Sequence, residues 1–155
     1  MSPVTIRIAA THEAKVLTDL CLRSKAHWGY PKTYVDLYTP ALIVTSEYIE
    51  NNACFVAVNS TGAIVGFSAL VITPPPANIE FLFVEPGVIG GGVGRTLLTH
   101  TLDHARNSGC TQVEVESDPH ALIFYQRMGG IHFGDKPSTV IAGRLLPMLR
   151  FELEP

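Results

Sequence analysis

Residues 79–98 read IEFLFVEPGVIGGGVGRTLL: an apolar run from Ile79 to Val84 interrupted only by Glu80, a turn at Glu85, Pro86 and Gly87, glycines at 90, 91, 92 and 94, then a change of period. From Val93 onward the apolar residues Val93, Leu97, Leu98, Leu102 and Ala105 share one helical face with Thr101, and Gly109 supplies a C-terminal stop. A buried strand thus feeds a glycine-rich turn into an amphipathic helix. The first amides of such a helix lack intrahelical acceptors, its dipole is positive there, and missing side chains let a ligand approach the main chain. An anionic, phosphate-bearing ligand is expected.

Two familiar phosphate loops do not fit. A Walker A loop needs Gly-Lys-Ser/Thr after its second glycine, but Gly92 is followed by Val93 and the turn holds no lysine. A dinucleotide fingerprint needs a third glycine where Leu97 stands, and it follows the first strand of a βαβ unit rather than a hairpin.

Working outward, residues 54–58 and 64–72 are β-rich runs joined by Asn59, Ser60, Thr61 and Gly62, which predicts an antiparallel hairpin that Pro74, Pro75 and Pro76 bring to a stop. Further upstream, Val4, Ile6 and Ile8 alternate as in a half-buried strand. Thr11 is placed to cap a helix whose stripe of Val16, Leu17, Leu20 and Cys21 runs to about His27, before Gly29 and Pro31. Tyr34, Val35, Leu37 and Tyr38 predict a second short helix with Pro31 at its first position and Pro40 at its end. Downstream, Val113 and Val115 alternate with Glu114 and Glu116 in a strand. Asp118 and Pro119 form a cap and first-position pair for a helix through Met128, ended by Gly129 and Gly130. Short strands at 131–133 and 148–153 follow. No repeat or linker interrupts the 155 residues, so a single domain is expected over 1–155.

Hydrophobic residues make up 46% and charged residues 16% of the chain, which favours a large core over disorder. Eleven Lys and Arg against 14 Asp and Glu give a net charge of -3, the wrong sign for binding phosphate backbones, so no nucleic-acid partner is expected. The cysteines Cys21, Cys54 and Cys110 are scattered and unpaired in pattern, which fits a reducing cytoplasm. Neither a signal peptide nor a membrane segment is expected. His100 and His104 have the spacing of a zinc pair, but no Glu lies between them and no third ligand is evident, so no metal is expected.

Val84-x-Pro86 followed by Gly92-x-Gly94-Arg95-x-Leu97-Leu98, and later Asp118, Ala121, Phe124, Tyr125, Met128 and Gly129, resembles the acetyl-CoA site of the GNAT N-acetyltransferase superfamily. The resemblance is clear over residues 64–133, and the order of elements agrees elsewhere. It implies a mixed α/β (α+β) domain with a central, mostly antiparallel sheet of about seven strands and four helices on both faces. It implies transfer of an acetyl group from acetyl-CoA, as cosubstrate, to the amine of a small-molecule or amino-acid-like acceptor by direct attack in a ternary complex. The family pattern usually has Gln or Arg where Ile89 stands and a basic residue at Gly90. Pyrophosphate binding would therefore rest on the amides of Gly90, Gly92, Val93, Gly94 and Thr96 and on Arg95. Leu82, Phe83 and Val84 would supply the strand that pairs with pantetheine and the N–H donor for the thioester oxygen, with Phe124 also at the cofactor. Asp118 stands where the family often has Asn; its role as N-cap competes with one beside CoA.

An amine of pKa near 10.4 arrives protonated at neutral pH, so a base is needed. Glu80, a carboxylate in an otherwise apolar strand, is the first candidate because desolvation would poise it as a base; an exposed strand-end glutamate is the alternative, and Glu114 and Glu116 are reserves. Tyr125 matches the family tyrosine that donates to the departing thiolate. His27, Trp28, Tyr30 and Tyr34 form an aromatic cluster where the superfamily shapes its acceptor pocket, although packing on the core would use the same residues. A non-catalytic acyl-CoA-binding module and a nucleotide oxidoreductase remain as other classes. The apolar C-terminal strand could pair across a homodimer.

Overall fold

The computed structural model describes residues 3–154. Seven strands, β1 (Thr5–Ile8), β2 (Ala53–Val58), β3 (Ile64–Val71), β4 (Ala77–Val84), β5 (Gln112–Glu116), β6 (Ile131–Pro137) and β7 (Leu145–Glu152), form one sheet in the order β1-β2-β3-β4-β5-β7-β6. Every neighbouring pair is antiparallel except β4 and β5. The expected hairpin is β2–β3, with Asn59 Oδ1 accepting the N–H groups of Thr61 and Ala63 at its turn.

Five α-helices cover the sheet: α1 (Ala14–Ala26), α2 (Lys32–Tyr38), α3 (Ser46–Asn51), α4 (Val93–Asn107) and α5 (Leu122–Arg127). On one face Leu17, Leu20, Cys21 and Tyr38 bury Val56, Phe67, Ala69 and Phe81; on the other Leu98, Ala105 and Tyr125 bury Leu70, Ile79, Val113, Val115 and Leu149. Alternation along each strand sends neighbouring residues to opposite faces, so both faces of the central strands are apolar. Among the described residues no helix is long and apolar enough to cross a membrane.

The structure departs from the sequence expectation at four places. α3, a fifth helix, occupies a stretch given no element; Thr45 opens it by accepting the Tyr48 N–H at 3.0 Å. Thr11 is not the cap of α1 but lies in a 3-10 turn, Thr11–Glu13, where the Glu13 carboxylate takes the Ala10 N–H at 2.8 Å and pairs with Arg7. Pro31 is the residue before α2 rather than its first, in extended conformation with ψ 152°. The last two strands are longer than their apolar cores, since pairing between β6 and β7 continues through the polar residues Asp135 and Lys136. The edge strand at this end of the sheet is β6, and β7 lies between β5 and β6. The expectation that the C-terminal strand pairs across a dimer is therefore corrected: both its hydrogen-bonding edges are already used.

Candidate active site

β4 and β5 pair over only three positions, Ala77 with Val113, Asn78 with Glu114 and Ile79 with Val115, and then diverge. On its other side β4 stays paired to β3 as far as Val84. The register of that ladder shifts between Ala69 and Leu70, so Glu80 is an extra residue, a bulge, at the point where the two parallel strands part.

The Glu85 N–H donates to the Val65 carbonyl at 2.9 Å. By the alternation of an antiparallel ladder, Phe83 and Phe81 also face β3, while Leu82 and Val84 turn their N–H and C=O toward the gap. Of the three residues expected to pair with pantetheine, Leu82 and Val84 therefore offer free main-chain groups. Phe83 spends its own on β3 and packs its ring on Phe81, 6.2 Å between centroids.

At the end of β4 the chain enters the glycine turn, where Gly91 N–H donates to Val88 O at 3.1 Å. Gly92 precedes α4 with φ +89°, a left-handed conformation open to glycine without strain. Among the described residues the N–H groups of Gly90, Gly92, Val93, Gly94 and Arg95 donate to no protein acceptor, and Arg95 is exposed without an ion pair. Thr96 is different: its N–H and hydroxyl both go to Gly92 O. A Cβ on Gly94 would lie 3.4 Å from Phe124 and 3.5 Å from Val84, so the Phe124 ring reaches from α5 to the mouth of the gap.

Tyr125 is buried, packed between Phe124 and Phe151, and its hydroxyl has no hydrogen-bond partner among the described residues. Unlike the Tyr38 hydroxyl, it is not wholly sealed from solvent. Burial raises its pKa, and the Asp118 charge raises it further, keeping the phenol protonated.

Glu80 is exposed, not desolvated as expected, because the bulge turns its carboxylate outward. It accepts a hydrogen bond of 2.5 Å from the Tyr48 hydroxyl of α3, and the Tyr48 ring stands edge-on to Phe81. Burial followed by this bond raises the Tyr48 pKa. Of the reserves, Glu114 is tied to Arg150 at 2.8 Å across β5 and β7, and Glu116 is exposed, just past the last β4–β5 pair. His100 and His104 both set their rings on Phe55, at 4.7 and 5.1 Å.

Asp118 caps the 3-10 turn before α5 by accepting the His120 N–H at 2.9 Å, and its other oxygen accepts from Lys25 Nζ at 2.6 Å and Tyr30 Oη at 2.7 Å. Arg144, from the β6–β7 connection, donates to Tyr30 Oη at 2.5 Å and lies 3.6 Å from Asp118. Burial pushes the Asp118 carboxyl up, but the bonds from Lys25 and Tyr30 outweigh it and hold it well below the usual carboxylate range. The Tyr30 phenol is pushed up to about 12, by burial first and then by its bond to Asp118. Asp118 is thus committed to α1 and the aromatic cluster.

That cluster forms as expected and is larger than the sequence showed. His27 meets Trp28 edge-on at 4.9 Å, Trp28 stacks on His120 at 4.6 Å and 6°, and Tyr30 contacts Tyr34 at 6.0 Å and Tyr38 at 6.1 Å. Lys25, Tyr38, Tyr48, His120 and Arg144 contact the expected residues and are candidates that the sequence did not reveal. Each reaches the site from a different element, and no spacing rule links them.

A model of the Acetyltransferase (GNAT) family matches residues 20–130. Glucosamine 6-phosphate N-acetyltransferase of Trypanosoma brucei brucei is 33% identical over 76 residues, which are 44% of this chain and 52% of that protein. The chain spans about half the length of the curated relatives it matches. A GCN5-related N-acetyltransferase from Rhodopseudomonas palustris superposes with a TM-score of 0.85 at 20% identity, over 99% of this chain and 98% of the other. PaiA N-acetyltransferase from Thermoplasma acidophilum, solved with coenzyme A, gives 0.80 at 14% identity, over 97% of this chain and 99% of the other. These two share the fold. With the family match running from α1 to the end of α5, across both strands that bound the gap, the chain belongs to the Acetyltransferase (GNAT) family.

Proposed function

We propose that the chain transfers the acetyl group of acetyl-CoA to the amine of a small-molecule acceptor by direct attack, without a covalent enzyme intermediate. The observation that carries this reading is the open edge of β4. Leu82 and Val84 present free main-chain groups along the gap, and the same strand leads into a turn of free amides. An extended amide chain joined to a diphosphate matches that layout: the chain pairs with the strand edge and the diphosphate meets the N-terminus of α4. The PaiA structure contains coenzyme A on this fold, which agrees with the assignment. Amides of Gly90, Gly92, Val93 and Gly94 and the Arg95 side chain would carry the phosphate contacts in place of the side chains absent at Ile89 and Gly90.

Glu80 sits where β4 and β5 part, at the inner end of the gap, and is our candidate base, acting through water because it is exposed. Tyr48 positions it by donating to one carboxylate oxygen. Tyr125, protonated and unpartnered, is our candidate acid for the leaving thiolate. The Leu82 N–H supplies a fixed donor for the thioester oxygen. The acceptor would enter beside Trp28, Tyr30, Tyr34 and His27, on the α1–α2 face.

Calorimetry with acetyl-CoA, followed by thiol release across a panel of primary amines, tests the reading. Association together with amine-dependent thiol release is expected. Association without turnover for any amine would favour a binding module, and no association with CoA or its acyl forms would overturn the assignment.

A further inference from the structure

α1 crosses the mouth of the gap. Its Arg23 pairs at 2.8 Å with Glu85, just past the end of β4, and its Lys25 pairs at 2.6 Å with Asp118, just past the end of β5. Continuing the parallel register of Ile79 with Val115 brings Asp118 about level with Leu82. The Ser117 N–H, bonded to Pro147 O at 2.8 Å, keeps the chain in the sheet to the residue before it. His120 follows in the 3-10 turn Pro119–Ala121, and its ring lies on the α1 side, stacked on Trp28 at 4.6 Å and 6°.

The hydrogen bonds around this ring fix where its proton sits. His120 Nδ1 stands 2.8 Å from Asp118 Oδ1 and 3.0 Å from Tyr30 Oη. Asp118 is ionised, so its oxygens only accept. The Tyr30 hydroxyl has a single hydrogen, which goes to Asp118 Oδ2 at 2.7 Å, so toward Nδ1 the phenol oxygen also only accepts. With acceptors on both sides, Nδ1 carries the hydrogen, and in the neutral ring Nε2 keeps its lone pair. Among the described residues Nε2 has no hydrogen-bond partner, and the His120 side chain is 42% exposed. An imidazole oriented by a carboxylate through Nδ1–H, with Nε2 bare and accessible, is the arrangement of a general base.

We propose that His120 Nε2 removes the first proton from the ammonium group of the acceptor, with Asp118 fixing the ring's tautomer and orientation. The proposal rests on the acetyl-transfer reading above and fills a step that Glu80 and Tyr125 leave open. An ammonium sheds two protons on becoming an amide. His120 takes the first, which frees the nitrogen lone pair, and hands it to solvent from its exposed edge. The nitrogen then bonds to the thioester carbon. Glu80 takes the second proton through water as the C–S bond breaks, Tyr125 protonates the sulfur, and the proton held by Glu80 restores the phenol. One acetyl group moves and one proton is released. The location suits the first step, because Trp28 and Tyr30, which hold the ring, belong to the face where the acceptor would enter.

His120→Asn keeps a side-chain N–H for Asp118 and loses the base, and His120→Gln, with a longer reach, is the second variant. The assay is thiol release from acetyl-CoA with primary alkylamines between about pH 7 and pH 9, beside calorimetry of acetyl-CoA. Over that range the neutral share of an alkylamine rises from about one in 2,500 to about one in 25, so solution comes to supply what the base supplies at neutrality. The groups facing His120 are Asp118, Tyr30, Lys25, Arg144 and, across Trp28, His27. Asp118 titrates well below this range and Tyr30 at about 12, so neither changes charge within it. Both variants should lose about 10²-fold in kcat/KM at pH 7, and the deficit should shrink about tenfold by pH 9 with the acetyl-CoA Kd unchanged. A deficit that stays constant with pH marks a purely structural tie and overturns the proposal. So does the absence of a deficit, or a wild-type chain that binds acetyl-CoA and acetylates no alkylamine. Nitrogen NMR of the wild-type chain labelled at its histidines checks the ring without any acceptor: Nδ1–H with a bare Nε2 is expected, and an Nε2–H ring overturns the proposal. Absence of acetyl-CoA binding with the Nδ1–H ring in place removes the acetyl-transfer reading instead, and the base with it.

Discussion

Tyr125 and Glu80 take opposite routes to a usable proton. The phenol is buried and raised in pKa, so it stays protonated, as the proposed acid must. Tyr125→Phe should lower kcat by about 10²-fold with the acetyl-CoA Kd nearly unchanged, as for loss of one general acid. Steady-state kinetics beside calorimetry would show this, and an unchanged kcat would remove Tyr125 from the chemistry. Glu80 was legible as an odd carboxylate in an apolar run, but the reason for it was not: desolvation is absent, and a bulge with a Tyr48 bond holds it instead. Glu80→Gln should cost about 10²–10³-fold in kcat. Tyr48→Phe should cost much less, and its effect should appear in kcat with KM for acetyl-CoA preserved. A kcat of Glu80→Gln close to the wild-type value would assign the base elsewhere.

The element that decides function is the strand, turn and helix from β4 to α4, and it was readable because its signals are local. Strand alternation, glycines and the restart at Val93 all act within a few residues. The gap beside β4 was not readable, because it depends on where β5 leaves the ladder after Val115, a partner separated by α4 in the sequence. The same limit hid α3, whose short run offers only Thr45 and Glu47 as a start signal, and it hid Arg144, which lies between the last two strands. Within the turn, Gly92 is the residue the geometry depends on. An alanine held at φ +89° costs about 1–3 kcal/mol, or shifts the turn and misaims the amides. Gly92→Ala should weaken acetyl-CoA binding by about tenfold or more. Gly62→Ala, at φ +87° in the β2–β3 turn, carries similar strain away from the site. It should lower Tm and leave the acetyl-CoA Kd alone. If both variants alter Kd equally, the effect is general destabilisation and the turn has no special part in binding.

Across the whole molecule, Asp118 joins elements that the sheet leaves apart: it links the end of α1 through Lys25, the entry to α5 through its own cap, and the β6–β7 connection through Tyr30 and Arg144. The tie has a pH signature whose sign follows from the shifts. Asp118 and Glu13 both titrate below their ordinary values in the folded chain, so their stabilisation is complete above about pH 4 and is lost as pH falls through the folded values. The Cys21 and Cys54 thiols and the Tyr30, Tyr38, Tyr48 and Tyr125 phenols are all raised, chiefly by burial, so their protonated forms favour the fold fully below about pH 8.5, the ordinary thiol value, and that preference is lost as pH rises further. Denaturant unfolding across pH should therefore show a plateau between these limits and a fall on either side. Asp118→Asn keeps an oxygen to cap the His120 N–H, so it should lower the plateau by about 2 kcal/mol through Lys25 and Tyr30 and flatten the acid side. The alkaline side should stay, because the two thiols and four phenols remain buried. An acid slope unchanged in Asp118→Asn would mean that α1 and α5 are held by sheet packing alone, and that the charges between them contribute nothing to their docking.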